Sequence, residues 1–472
     1  MSDNTFYLTA AIPYVNAKPH LGHVLEWFQA DTIVRYHKLL GQDVFFTCGA
    51  DENSLKNVQA AEKAGKEPQA WLDEYSKIFE DAFAEFGVEV DSFRRGSDKE
   101  KHWPGVQKLW ELCKHDMYKK TYTGLYCLGC EQFYTQDELV DGKCPEHLTV
   151  PETVEEENWF FKLSKYQNQI EQLIVSDKLQ IVSDQFKQEM LGFVRSGLKD
   201  FSVSRSNVRG RGIGVPVPDD SDQVMYVWFD ALSIYLTGVG WGYDQALFEK
   251  YWPADVHVIG KGINRFHSVY WIGMLLSAGL PTPKSVSVHG YITANGQKMS
   301  KSLGNVIDPF ELVKKYEIET IRYYLLKYIP THADGDFSYE KFAEIYTADL
   351  ANGLGNLCSR VAKLCEKSQL QFPPITLKFS DAYNKFMVAS ELDKAMEIVM
   401  ELVAQLDKSL ADSQPWKKEG EELREILEAA VEQICYIAFH LEPFMPKTAK
   451  QILNRFSQEK ITAMEPLFPR LQ

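Results

Sequence analysis

Along the first hundred residues the hydrophobic positions alternate between two rhythms. Phe6-Tyr7-Leu8-Thr9 is a short β-rich run, and the loop after it carries Pro13 and Pro19. A 3.6-residue rhythm then predicts a helix from about His20 to Leu40, stopped by Gly41. Val44-Phe45-Phe46-Thr47 predicts a second strand, with Gly49-Ala50-Asp51 as the turn after it. Helical patterns follow over about 54–64 and 69–86. This alternation predicts a doubly wound parallel sheet of the α/β class, which binds ligands at the C-terminal ends of its strands.

From about 116 to 225 the rhythm breaks into short segments rich in Gly, Cys, Pro and Tyr, the mark of an insertion. Alternation resumes at Val224-Met225-Tyr226-Val227 and runs through 256–259, a helix around 266–278, and 285–288. Beyond about 340 the pattern is helical throughout, which predicts a bundle. The expected organisation is a split sheet domain (1–115 and 226–340), an inserted domain (116–225) and a helical domain (341–472).

Composition changes this picture in two places. The net charge of -15 argues against coating nucleic acid through bulk charge, and leaves room for a local site whose affinity is modest and salt-sensitive. Neither a signal peptide nor a run of about 18 apolar residues is present, so a cytoplasmic protein without a membrane span is expected. Of the eight cysteines, three cluster in Cys127-x2-Cys130-x13-Cys144-x2-His147. Three thiolates and an imidazole in a paired knuckle suit tetrahedral Zn²⁺, and four protein ligands leave no open position, so a structural role is expected.

Two further motifs carry chemistry. In Pro19-His20-Leu21-Gly22-His23 two histidines three apart open a helix, where open backbone N–H groups and the dipole favour a phosphate, and Gly22 allows a flat ring close to the backbone. Taken alone, two surface histidines beside a helix cap account for these residues equally well. In the run Gly296 to Asn305, Lys298, Met299, Ser300 and Lys301 form a basic loop able to close on polyphosphate oxygens as charge develops there.

Together, in this order, the two motifs resemble the HIGH and KMSKS signatures of class I aminoacyl-tRNA synthetases. Ala11 to Asn16, Val227 to Ala231, Trp252 to His257, Ile259-Gly260-Lys261 and Arg265-Phe266-His267 narrow the resemblance to the methionyl-tRNA synthetase family. That resemblance implies ATP and Mg²⁺ at His20, Gly22, His23, Gly260, Lys298, Met299, Ser300 and Lys301, with His20, His23, Lys298 and Lys301 catalytic. It implies an L-methionine pocket of Ile12, Tyr14, Trp228, Ala231, Leu232, Tyr235, Ile263 and His267, where sulfur–aromatic contacts are worth about 0.3–1.5 kcal/mol each. Asp51 would pair with the substrate ammonium. Asn356, Arg360 and Trp416 would read the anticodon of tRNA(Met).

Some positions depart from that family's pattern. Asn53-Ser54 stands where many members carry His-Gly, and Gly262 where an Asp is frequent. Asp407-Lys408-Ser409 replaces a more usual Asn-Arg-Tyr. No appended dimerisation domain is evident, so a monomer is expected. The rivals are a cysteinyl-tRNA synthetase, which would place a zinc-binding Cys in the first strand-loop where Tyr7 to Asn16 has none, and a non-catalytic tRNA-binding relative.

Overall fold

The computed structural model describes residues 4–146, 148–299 and 305–469, with Lys298 described by its backbone alone. Two compact units emerge: the chain up to Pro19 with Gly41–His289, and His20–Leu40 with the chain from Gly290 onward.

In the first unit, six parallel strands form the central sheet: β1 (Thr5–Ala10), β2 (Asp43–Ala50), β3 (Ser92–Arg95), β4 (Gln180–Val182), β5 (Val256–Gly260) and β6 (Ser285–His289). Their order is β3-β2-β1-β5-β6-β4. β1 lies at its centre and is buried on both faces, which explains a continuous apolar run in place of strict alternation. The sheet is the doubly wound arrangement expected, with one addition: edge strand β4 comes from within 116–225. Within the rest of that stretch, a four-stranded antiparallel sheet forms around the long pair Met117–Cys127 and Glu152–Phe161, beside two helices and a small three-stranded sheet.

Two local expectations change. β2 runs through Gly49 and Ala50, which the sequence suggested as a turn. A Cβ on Gly49 would lie 2.2 Å from the Arg94 carbonyl oxygen, so this glycine marks close approach of β3 within a strand. Val224 and Met225 end a strand, Asp220–Met225, of a small antiparallel sheet and not of the main one, because the helix α3 (Val227–Thr237) begins two residues later.

The second unit is largely helical. The helix α1 (Leu21–Leu39) ends before Gly41, whose φ of +79° suits the residue past a helix end. It is held by Arg322, 2% exposed, whose guanidinium lies 2.7 Å from the Asp31 carboxylate. The same guanidinium donates to Thr32 Oγ1 and to the carbonyls of Pro443 and Phe444. Tyr36, one turn further on, packs on Phe379 and Tyr383 and donates to Asn384. A helical layer follows, including α4 (Asn356–Ser368), α5 (Leu392–Ser413) and α6 (Gly420–Leu441). Among the described residues no helix is long and apolar enough to cross a membrane. Arg322→Met leaves the buried Asp31 carboxylate with only the partly buried Arg35, 2.7 Å away, and is expected to cost up to about 3–5 kcal/mol. Denaturant unfolding followed by circular dichroism measures the loss.

Candidate active site

β1 and β2 run side by side, and the chain meets again beyond their ladder. Asp51 N–H donates to the Pro13 carbonyl at 2.9 Å, and Tyr14 and Asp51 form a parallel bridge. This places an aromatic ring and a carboxylate together at the C-terminal end of the sheet. Trp228, at the start of α3, meets Tyr14 edge to face at 6.4 Å and stacks on Phe266 at 3.7 Å. Ala231, Leu232 and Tyr235 continue the buried wall along α3, and Ile12 and Ile263 pack against the same core.

Three buried polar atoms here have no hydrogen-bond partner: the Tyr14 hydroxyl, the Trp228 indole N–H and Asp51 Oδ1. Unsatisfied buried groups are costly, and their concentration at one spot marks a place for a ligand. Burial, followed by the nearby carboxylates of Glu131 and Asp230, pushes the Asp51 carboxyl well above the usual carboxylate range.

His267 sits, next to Phe266, on a π-helical turn, Phe266–Tyr270, a geometry common at functional sites. Its Nδ1 lies 3.0 Å from the Ile263 carbonyl and must carry the proton, so its Nε2 accepts from the Tyr235 hydroxyl at 2.7 Å. Burial lowers its pKa to about 4, and burial likewise holds His257 well below the histidine range. Both imidazoles are therefore neutral in the folded protein.

His20 and His23 lie in the other unit, at the mouth of α1. Their rings stack at 3.7 Å and cap the helix reciprocally: His20 Nδ1 accepts from Gly22 N–H, and His23 Nδ1 accepts from His20 N–H, each at 3.1 Å. The sequence suggested open backbone N–H groups here. Instead, Gly22, His23 and Val24 N–H are already bonded, the latter two to the His20 carbonyl. What the pair presents is ring chemistry, since an Nδ1 that accepts leaves the proton on Nε2. The flat ring that Gly22 admits is that of His20, which lies 3.0 Å from where a Cβ would stand.

The lysine loop is launched by a tight hairpin. Ile292–Ala294 pairs with Gln297–Lys298 across Asn295-Gly296, both at positive φ, as a two-residue turn of the primed type requires. Asp336 fixes the turn, accepting from Thr293 Oγ1 at 2.6 Å and Gly296 N–H at 2.7 Å. Met299 is described and partly buried, whereas Ser300, Lys301 and the Lys298 side chain lie outside the described residues. Gly260 ends β5 beside His289.

Cys127, Cys130 and Cys144 bring their sulfurs within 4.8 Å of one another, with Cys130 and Cys144 3.4 Å apart. Tetrahedral zinc at about 2.3 Å from each sulfur would set sulfurs roughly 3.8 Å apart, so the donor set fits the ion. His147 lies outside the described residues. Asn356 and Arg360 share one face of α4, and Trp416 is half exposed on the turn between α5 and α6. Arg360 is engaged by the Asp407 carboxylate at 2.6 Å.

Phe266, Glu131 and Arg205 belong to this neighbourhood and escaped the sequence reading. Phe266 stands inside a quoted motif and could have been found there. Nothing in the polar run around Arg205, or in Glu131 between Cys130 and Gln132, signals that both are buried.

The neutral histidines predict an acid-sensitive fold. The unfolded chain binds a proton at each near pH 6.5, and the native His267 only near pH 4, so stability falls as pH drops through that window. The shift corresponds to about 3 kcal/mol at His267. Denaturant melts between pH 4 and 7 should show a shallower slope for His267→Gln.

Against known proteins, a family model described as tRNA synthetases class I (M) matches residues 6–149 and 147–362. A methionine–tRNA ligase of Thermotoga maritima is 40% identical, over 98% of this chain and 77% of that protein. One from Brucella suis is 37% identical, over 96% of this chain and 92% of that protein. The solved structure of Mycobacterium tuberculosis methionyl-tRNA synthetase in complex with methionyl-adenylate superposes with a TM-score of 0.92, at 34% identity over 99% of this chain and all of that one. These likenesses, on this fold and over nearly the full length, place the chain in the methionyl-tRNA synthetase family of class I aminoacyl-tRNA synthetases.

Proposed function

We propose a division of labour for the activity of this family, methionine–tRNA ligation. The methionine carboxylate attacks the α-phosphorus of ATP, giving methionyl-adenylate and pyrophosphate. A terminal hydroxyl of tRNA(Met) then attacks the activated carbonyl and releases AMP. No side chain serves as a covalent nucleophile, so catalysis rests on positioning and charge stabilisation.

The observation that carries the methionine site is the buried Asp51 carboxylate with an unpartnered oxygen, set beside the rings of Tyr14 and Trp228. An ammonium group answers the carboxylate, and an unbranched thioether suits the wall of Ile12, Ala231, Leu232, Tyr235, Ile263 and His267. In this reading His20 and His23 donate from Nε2–H to ATP phosphates, with Gly22, Gly260, Met299 and Ser300 shaping the nucleotide site. Lys298 and Lys301 neutralise the departing pyrophosphate, where Mg²⁺ arriving with ATP would supply further positive charge. Cys127, Cys130, Cys144 and His147 hold zinc, which would tie the turn structurally. Asn356, Arg360 and Trp416 read the anticodon, the half-exposed Trp416 ring offering a stacking face.

Three outcomes test this assignment. Among the twenty amino acids, methionine alone should stimulate exchange of pyrophosphate into ATP; stimulation by cysteine or by none would overturn it. Lys301→Ala should slow adenylate formation by about 10²–10³-fold and leave methionine affinity nearly unchanged, as single-turnover kinetics would show. Asp407→Asn frees Arg360 from an exposed pair worth about 0–1 kcal/mol, so tRNA affinity at fixed salt should rise by up to about fivefold in filter binding.

A further inference from the structure

Glu131 stands where the cysteine-bearing turn meets the methionine pocket. It follows Cys130 directly, is fully buried, and its backbone sits at φ +48°, a left-handed conformation that costs a non-glycine residue free energy. A buried carboxylate in a strained position is expensive unless its contacts are used. Glu131 Oε1 accepts from Ser54 Oγ at 2.8 Å and from Lys56 N–H at 3.3 Å. Ser54 caps the helix α2 (Leu55–Lys63), its Oγ accepting from Lys56 N–H at 3.1 Å, and it lies three residues after Asp51. The Glu131 carbonyl accepts from the Tyr226 hydroxyl, two residues before Trp228. Oε2 lies 3.6 Å from the Arg205 guanidinium, which covers the Tyr226 ring. One acidic residue thus grips the loop that presents Asp51 and the segment that presents Trp228.

We propose that Glu131 is a positioning residue for methionine recognition, linking the cysteine turn to the Asp51 loop through Ser54. The link rests on the reading of Asp51 as the ammonium partner. Ser54 is the donor side of the link, and a glycine there has no hydroxyl to donate.

The experiment compares Asp51→Asn, Ser54→Gly, Glu131→Gln and the Ser54→Gly/Glu131→Gln double variant of the full chain. Glycine is tolerated at a helix N-cap, so Ser54→Gly keeps the fold even where Glu131→Gln disturbs it. Methionine Kd is read from tryptophan fluorescence, and KM and kcat from pyrophosphate exchange. Zinc content and thermal midpoint are recorded alongside.

Ser54→Gly is expected to raise methionine Kd and KM about three- to tenfold, and Glu131→Gln about tenfold or more. The double variant should be no weaker than Glu131→Gln, the non-additivity of a shared link. kcat, the KM for ATP and the zinc content of Ser54→Gly should stay within about twofold of the parent. If Asp51→Asn weakens methionine but Ser54→Gly and Glu131→Gln do not, or if their losses add, or fall equally on ATP, the Glu131 proposal is overturned. If Asp51→Asn leaves methionine Kd unchanged, the reading beneath it fails and the proposal falls with it.

Discussion

The pairing of β1 with β2, carried past the strand ends by the hydrogen bond from Asp51 N–H to the Pro13 carbonyl, is the constraint on which the pocket depends. Parallel strands deliver their C-terminal loops to the same edge, and here an isolated bridge past the ladder makes Tyr14 and Asp51 neighbours. Gly49 makes this possible, because any side chain there would strike the Arg94 carbonyl of the next strand. A carboxylate held rigidly and out of water cannot reorganise to suit its environment. It is strongly disposed to recover a positive partner.

Burying that carboxylate requires a supporting polar lattice, and the two residues Asn53 and Ser54 supply part of it. Asn53 donates to the Gly96 carbonyl and to Asp230 Oδ2, the latter at 2.5 Å. Asp230 in turn meets His102 Nε2 at 2.7 Å, and His102 Nδ1 meets Thr237 Oγ1 at 2.8 Å. Ser54 serves the Glu131 side in the same way. Asn53 and Ser54 thus each tie a buried carboxylate, Asp230 and Glu131 respectively, to the loop that follows Asp51.

The helix that carries His20 and His23 shows a different economy. Its first turn uses the two imidazoles to cap itself, which selects the tautomer that leaves each Nε2 a donor. Its body is locked by the buried Asp31–Arg322 pair and by Tyr36 against Phe379 and Tyr383. A short motif at the helix mouth is thereby given a fixed direction by residues about three hundred positions away.

Much of this was legible in the sequence, for reasons that are local. Strand and helix rhythm reports which faces are buried, so the doubly wound sheet and the helical C-terminal region follow from periodicity. Cysteine spacing reports which thiols a turn can bring together, and three of them do cluster. Motif order along the chain carried the family. Tertiary structure alone decided the rest, because it turns on close approach and burial, which no neighbour in sequence records. Gly49 looks like a turn until β3 packs against it, and a 3.6-residue rhythm conceals the π turn that aims His267. Glu131 and Arg205 look like surface charges until the fold removes both from water. The sequence by itself determined which chemistry is present; the fold decided which of those groups are left unsatisfied, and an unsatisfied buried group is what makes a site.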